Sequence, residues 1–260
     1  VADNPTMSLA CSRPFSLTIA SLVTPPVPYF WWPMEEASGD RVDVIHGLHF
    51  VPVGAFSNIA GKVGNALYYV QSSVSHSIAT QANNSLRITS LGFSMVFWVN
   101  FKVFPVWFGG DDSGAPSLRL FLINLPSAFT TQLRFGSPEP GSSWLGGAGG
   151  ALDVAPVPLV DTWYFVHWFM GSDLRPGYQI NNGAETLMDP ITISGDSSGG
   201  AFLRYTIDTN PALDPDTGDP DAVAEEIIID EVAFFPSHKL TAAELLYLYN
   251  SGAGRTYPFT

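Results

Sequence analysis

Residues 227–257 read IIIDEVAFFPSHKLTAAELLYLYNSGAGRTY, a strand, a turn and a capped helix in one stretch. Ile227, Ile229, Glu231, Ala233 and Phe235 alternate with Ile228, Asp230, Val232 and Phe234. A run this rich in β-branched and aromatic residues predicts a strand buried on both sides, ended by Pro236. Thr241 stands three residues before Glu244, so its hydroxyl can accept from the Glu244 amide while the carboxylate reaches back to the Thr241 amide. Leu240 and Leu245 are placed to close over this helix start as a hydrophobic staple. Leu245, Leu248 and Tyr249 form one apolar stripe, and Gly252 offers a left-handed stop. Asp230 breaks the apolar pattern, and a carboxylate there needs a metal, backbone amides, a hydroxyl or a basic side chain as partner.

Composition bounds what such a chain does. Hydrophobic residues make up 46% of the 260 and charged residues 13%, which excludes disorder, while 24 Gly and 21 Pro supply the punctuation that many short strands require. No charged or Ser-rich linker divides the chain, so one domain is expected. The formal net charge of −13 repels a phosphate backbone or an anionic membrane surface, so nucleic acid is not an expected partner. No apolar run reaches the ~18 residues of a membrane span, and membrane insertion is not expected. The single Cys11 excludes an intrachain disulfide and a Cys-based zinc site.

Residues 1–28 carry Pro5, Pro14, Pro25, Pro26 and Pro28 without a sustained period and predict an extended arm. Its apolar members, Phe15, Leu17, Ile19, Leu22 and Val23, either lie along the domain or dock on a neighbouring subunit or particle. Further strands are expected over residues 29–34, 48–51, 65–70, 77–79 and 92–101. In the last of these Trp98 and Asn100 face away from Phe93, Met95, Phe97, Val99 and Phe101. Residues 118–123 and 132–135 suit a hairpin, and residues 136–150 form a loop around Trp144. Residues 162–170 predict a central strand with Tyr164, Val166 and Trp168 on one face and Trp163, Phe165, His167 and Phe169 on the other. Asn181-Asn182-Gly183 joins two strands in a tight hairpin, and residues 202–207 give another strand.

IDEVAFF followed by LTAAELLYLYNSGAGRTY resembles the closing segment of concanavalin A-like, laminin-G-like jelly-roll domains. YFWWPMEEASGDRVDVIHG (29–47) is similar to their opening segment, GKVGNALYY (61–69) to the next, and FSMVFWVNF (93–101) to a central strand. The resemblance implies an all-β fold: an antiparallel jelly-roll β-sandwich over residues 29–260 with one short C-terminal helix, preceded by the arm at 1–28. It further implies that a structural calcium can bridge the opening segment and the last strand, with Glu35, Glu36, Asp43 and Asp230 as the carboxylates able to serve. Glycan binding would use aromatic platforms and polar neighbours, for which Trp98, Asn100, Trp144, Tyr164 and Trp168 are the candidates against a plain core role.

Asp214, Asp216, Asp219 and Asp221 surround Gly218 in DTNPALDPDTGDPD, which reads either as a calcium loop of irregular order or as a solvated insertion. The Glu-x-Asp-x-x-Glu strand motif of glucanases of this fold is absent, and Asp230-Glu231 does not replace it, because partners on one strand face stand two or four apart. His167 lacks a nucleophile signature nearby. The chain is therefore expected not to be an enzyme but a virion or particle surface protein, a decoration or fibre component. It would join particle proteins through residues 1–28, form a homo-oligomer and bind glycans at an extracellular or virion surface. The rival expectation is a free-standing secreted or cell-surface lectin.

Overall fold

The computed structural model describes residues 23–53, 56–70, 76–81, 83–86, 91–103, 117–124, 130–135, 151–154, 159–190, 201–208 and 226–259. Within them the chain is all-β, mostly antiparallel, with one short α-helix. The strands are β1 (Phe30–Trp32), β2 (Phe50–Val53), β3 (Phe56–Ala60), β4 (Asn65–Val70), β5 (His76–Thr80), β6 (Phe93–Val103) and β7 (Ser117–Asn124). There follow β8 (Thr130–Phe135), β9 (Ala151–Val154), β10 (Trp163–Met170), β11 (Pro176–Ile180), β12 (Thr186–Leu187), β13 (Ala201–Asp208) and β14 (Glu226–Pro236), then helix α1 (Ala242–Tyr249). One sheet runs β12-β11-β10-β6-β14-β4-β3, with β1 also on β14; the other runs β2-β5-β13-β7-β8-β9, in which only β8 and β9 are parallel.

β6 and β14 lie at the centre of the larger sheet, and residues 93–101 and 227–235 are buried at every position. A strand covered on both faces is apolar at most of its positions, as these two segments are, with Ser94, Asn100, Asp230 and Glu231 as the buried exceptions. The first face of this sheet holds Phe30, Trp32, Leu67, Tyr69, Phe93, Met95, Phe97, Val99, Phe101, Val166, Trp168, Ile227, Ile229, Val232 and Phe234 in one core, joined by Phe50 from the smaller sheet. The expected alternation of β14 holds only as far as Ile229. A register shift between Asp230 and Ala233 inserts an extra residue, with Glu231 at φ 49°, and moves Val232 and Phe234 onto the face of Ile227 and Ile229.

β14 also shares one edge between two short partners. β4 pairs with residues 226–229 and β1 with residues 232–234, so Asp230 and Glu231 fall in the gap between them. Strands β3 and β9 were not anticipated from their sequences, FSNIA and ALDV, which are short and lack a clear alternation. Of the expected arm, residues 23–28 are described: Pro25 and Pro28 are buried while Val23 and Val27 are exposed. Burial three residues apart suits an extended proline-rich segment with three residues per turn. Residues 1–22 lie outside the described residues.

The helix forms as its sequence dictates. The Thr241 side chain accepts from the Glu244 amide (3.3 Å) and Glu244 Oε2 accepts from the Thr241 amide (2.7 Å), completing the capping box. Leu240 and Leu245 are both buried in one cluster, as a staple requires. The stop begins earlier than Gly252, at Asn250 and Ser251, both with positive φ. Replacing Thr241 by Ala should lower stability by about 1 kcal/mol, read as a shift of the urea midpoint.

Candidate functional site

The second face of the larger sheet is where a ligand was expected, beside Trp98 and Asn100. In the structure α1 and the C-terminal tail lie against it: Trp31, Val96, Trp98, Phe165, Ala233 and Phe235 form a second buried cluster with Leu240, Leu245, Tyr247 and Leu248. Tyr249 stacks on Trp98 (centroids 5.7 Å apart, 16° between planes), and Tyr257 and Phe259 pack against Trp31. Gly254, at φ +78°, passes so close that an added Cβ would stand 2.9 Å from Val63 Cγ2 and 3.1 Å from Trp98 Nε1. Lys62 Nζ lies 4.9 Å from the centroid of the Trp98 ring.

Beneath this cover the bulge brings two carboxyls to one face. Asp230, 0% exposed, accepts at Oδ2 from the amides of Lys62 (2.7 Å) and Val63 (2.9 Å), in the turn between β3 and β4. A Cβ on Gly61 would lie 2.6 Å from that oxygen, so the GKVG turn owes its first glycine to the approach of Asp230. Glu231, 2% exposed, accepts at Oε2 from Trp31 Nε1 (2.6 Å), and Thr256 of the tail also hydrogen-bonds its carboxyl. Sequence reasoning missed this pairing because adjacent residues point apart on a regular strand; only the bulge turns both the same way.

Burial pushes the Asp230 carboxyl up to about 7, against the lowering effect of the amides of Val63, Lys62 and Glu231. Burial, then the neighbouring Asp230 charge, push Glu231 up to about 9, and Glu35 adds to both. Two carboxyls on one sheet face match the residue types of a glycosidase pair, but an acid or base must touch its substrate. These two are sealed, and their hydrogen bonds hold the β3–β4 turn, β1 and the tail together.

His167 is 1% exposed and neutral, its pKa held down to about 3 chiefly by burial. Ser94 Oγ accepts from the Leu240 amide (2.8 Å) and stands 2.9 Å from His167 Nε2, so the pair anchors the approach to α1.

The sequence-predicted residues are dispersed by the structure. Trp98 and Asn100 are each 2% exposed on the second face, and Trp168 is 0% exposed in the core of the first. None of the three presents a ring or amide face to solvent, which corrects the expectation of an open platform there. Tyr164 is half-buried and its hydroxyl accepts from the Leu159 amide (2.7 Å); its neighbour Trp163 is half-buried on the opposite face. Trp144, Asp214, Asp216 and Asp219 lie outside the described residues.

Asp43 and Asp230 are each held by backbone amides. Asp43 Oδ1 accepts from the amides of Trp31 and Ile45 and Oδ2 from those of His46 and Leu48, so its oxygens already organise the opening loop. Glu35 and Glu36 likewise accept from the amides of Asn65 and Val42. Among the described residues no group of three or more His, Cys, Asp or Glu is arranged to hold a metal ion. No helix among them is long and apolar enough to cross a membrane.

No family model and no curated protein matches the chain. Solved structures do. The chain is similar to a sialidase of Trypanosoma rangeli, solved with a difluorinated nononic acid, at 13% identity and TM-score 0.55 over 89% of this chain and 34% of that one. It is similar to the binding domain of botulinum neurotoxin serotype C1 at 12% identity and TM-score 0.56 over 86% of this chain and 52% of that one. It thus spans about a third of the former chain and half of the latter, and at these identities the likeness is one of fold.

Raised folded-state carboxyl pKa values mean that the folded state binds the protons more tightly than the unfolded chain does. These two carboxyls should therefore contribute a loss of stability as pH climbs from about 4 to about 7 for Asp230 and on to about 9 for Glu231. Asp230→Asn should flatten the fall up to about pH 7 only and Glu231→Gln the fall up to about pH 9, measured as urea midpoints across that range. Trp98→Ala should cost about 3–5 kcal/mol in the same assay, the magnitude of a core truncation.

Proposed function

We propose that the chain is a non-enzymatic glycan-binding module, a concanavalin A-like jelly-roll sandwich displayed on a virion or other particle. The observation that carries this reading is the fold likeness over most of the chain to modules of glycan-handling proteins. One of these is botulinum neurotoxin type C, whose cell entry depends upon interaction with two ganglioside molecules (12% identity, TM-score 0.50, 86% of this chain and 51% of that one). The sealing of Asp230 and Glu231 supports the non-enzymatic half, since the paired carboxyls found among the described residues have no access to a substrate. Trp163 and Tyr164, at the start of β10, are aromatic side chains that do reach the surface, beside the exposed Leu159 and Val160. The buried Pro25 and Pro28 support an arm that runs along its own domain before leaving it, free to join a partner or a second copy in a homo-oligomer.

A glycan array probed with the full chain tests the binding, and light scattering of the native species tests the assembly. Binding to a defined sugar class, together with a homo-oligomer that needs residues 1–28 to join its particle, is the expected outcome. A glycan-binding monomer would make the chain a free-standing secreted or cell-surface lectin. Absence of binding across the array would end the glycan reading.

A further inference from the structure

Strand β10 is entered through a turn, residues 159–162, that is tied down by three hydrogen bonds. The Leu159 amide donates to the Tyr164 hydroxyl (2.7 Å), the Thr162 hydroxyl to the Val160 carbonyl (3.2 Å), and the Asp161 amide to the Phe101 carbonyl (2.8 Å). Asp161 takes a left-handed φ of 55°, which Asp tolerates better than most residues. A turn fixed in this way also fixes what it presents to water: Leu159 is 69% exposed, Val160 50%, and the Asp161 side chain 69%. A backbone held in a sparsely populated region and adjacent aliphatic side chains kept in solvent both cost free energy, and such costs cluster where a ligand is clamped.

Two groups of different chemistry stand at this corner. Asp161 Oδ1 lies 2.8 Å from Lys102 Nζ, which sets a carboxylate and an ammonium side by side, both reached by solvent. Trp163 lies two positions further along the chain, about 7 Å at the rise of a strand. It packs against the second cluster and is only half-buried. Among the described tryptophans Trp31, Trp32, Trp98 and Trp168 are at most 2% exposed, so Trp163 is the one that reaches solvent. Tyr164 faces the other core and fixes the turn through its hydroxyl.

Resting on the glycan reading above, we propose that this corner is a sugar subsite for a neutral pyranose, with Trp163 against the apolar face of the ring and the Lys102–Asp161 pair on two adjacent hydroxyls. A hydroxyl donates to a carboxylate and accepts from an ammonium, so neighbouring hydroxyls of one ring match a side-by-side pair. An indole offers a large flat apolar surface for the ring, and the fixed turn places the polar groups before the ligand arrives. The pair has no net charge while the chain carries −13, so an acidic group on the sugar adds repulsion without an unpaired cation to meet it.

The test is titration of the full chain with lactose, maltose, cellobiose and sialyl-lactose, followed by tryptophan fluorescence. At least one neutral disaccharide should bind and shift the emission, and sialyl-lactose should bind no more tightly than lactose. Asp161→Asn keeps a residue that tolerates the left-handed φ. It should weaken neutral-sugar binding about tenfold and leave the urea midpoint unchanged, because an exposed ion pair contributes little to stability. Trp163→Ala should weaken binding about tenfold and abolish the emission shift. Neutral-sugar binding unchanged in both variants would overturn this inference and leave the glycan reading standing. So would binding of sialyl-lactose alone, or of none of the four while the array detects another glycan. Loss of self-association in Leu159→Asp, read by light scattering with sugar affinity intact, would assign the corner to a second copy and overturn it too. No binding here or on the array would remove both readings.

Discussion

The interaction on which the rest depends is the break in β14. A strand buried on both faces must satisfy hydrogen bonds along both edges, and β14 gives one edge to β6 and divides the other between β4 and β1. Between those two partners, at Asp230 and Glu231, no strand among the described residues pairs with this edge. There the carboxyls gather other segments instead: Asp230 draws in the amides of the β3–β4 turn, and Glu231 the indole of Trp31 and the side chain of Thr256. The opening segment, the GKVG turn and the tail thereby converge on one point of one strand. Two acids are kept there at the cost of desolvation, which the raised pKa values express.

This arrangement also decides what the larger sheet is for. The larger sheet is used on both sides: one face belongs to the main core, and the other receives α1 and the tail. Aromatic side chains that would suit a sugar are consumed there as packing, and ring stacking of Tyr249 on Trp98 is internal cohesion.

Much of this was legible in the residues. The all-β class, the capping box of Thr241 and Glu244, the staple of Leu240 and Leu245, the Asn181-Asn182 turn and the faces of β10 follow from local rules that tertiary packing did not override. The partner of Asp230 was legible as a requirement but not as an identity, because backbone amides 167 and 168 residues away leave no mark in the chain around it. The bulge was not legible, since an inserted residue leaves the composition of a strand unchanged while reversing the faces beyond it. That reversal is why Glu231 was assigned to the wrong face. The burial of Trp98 and Asn100 escaped for a related reason: alternation shows which side of a sheet a residue takes, not what later folds over that side.

The claim that carries the account is that the second face of the larger sheet is closed by the chain's own C-terminus. Amide hydrogen exchange of α1 and residues 253–259, read in the native full-length chain, tests it directly. The account predicts that buried amides of this segment exchange about as slowly as those of β14, as one cooperative unit with the sheet. Rapid exchange of α1 and the tail above a protected β14 would mean that the face opens, and the closed-face account would be contradicted.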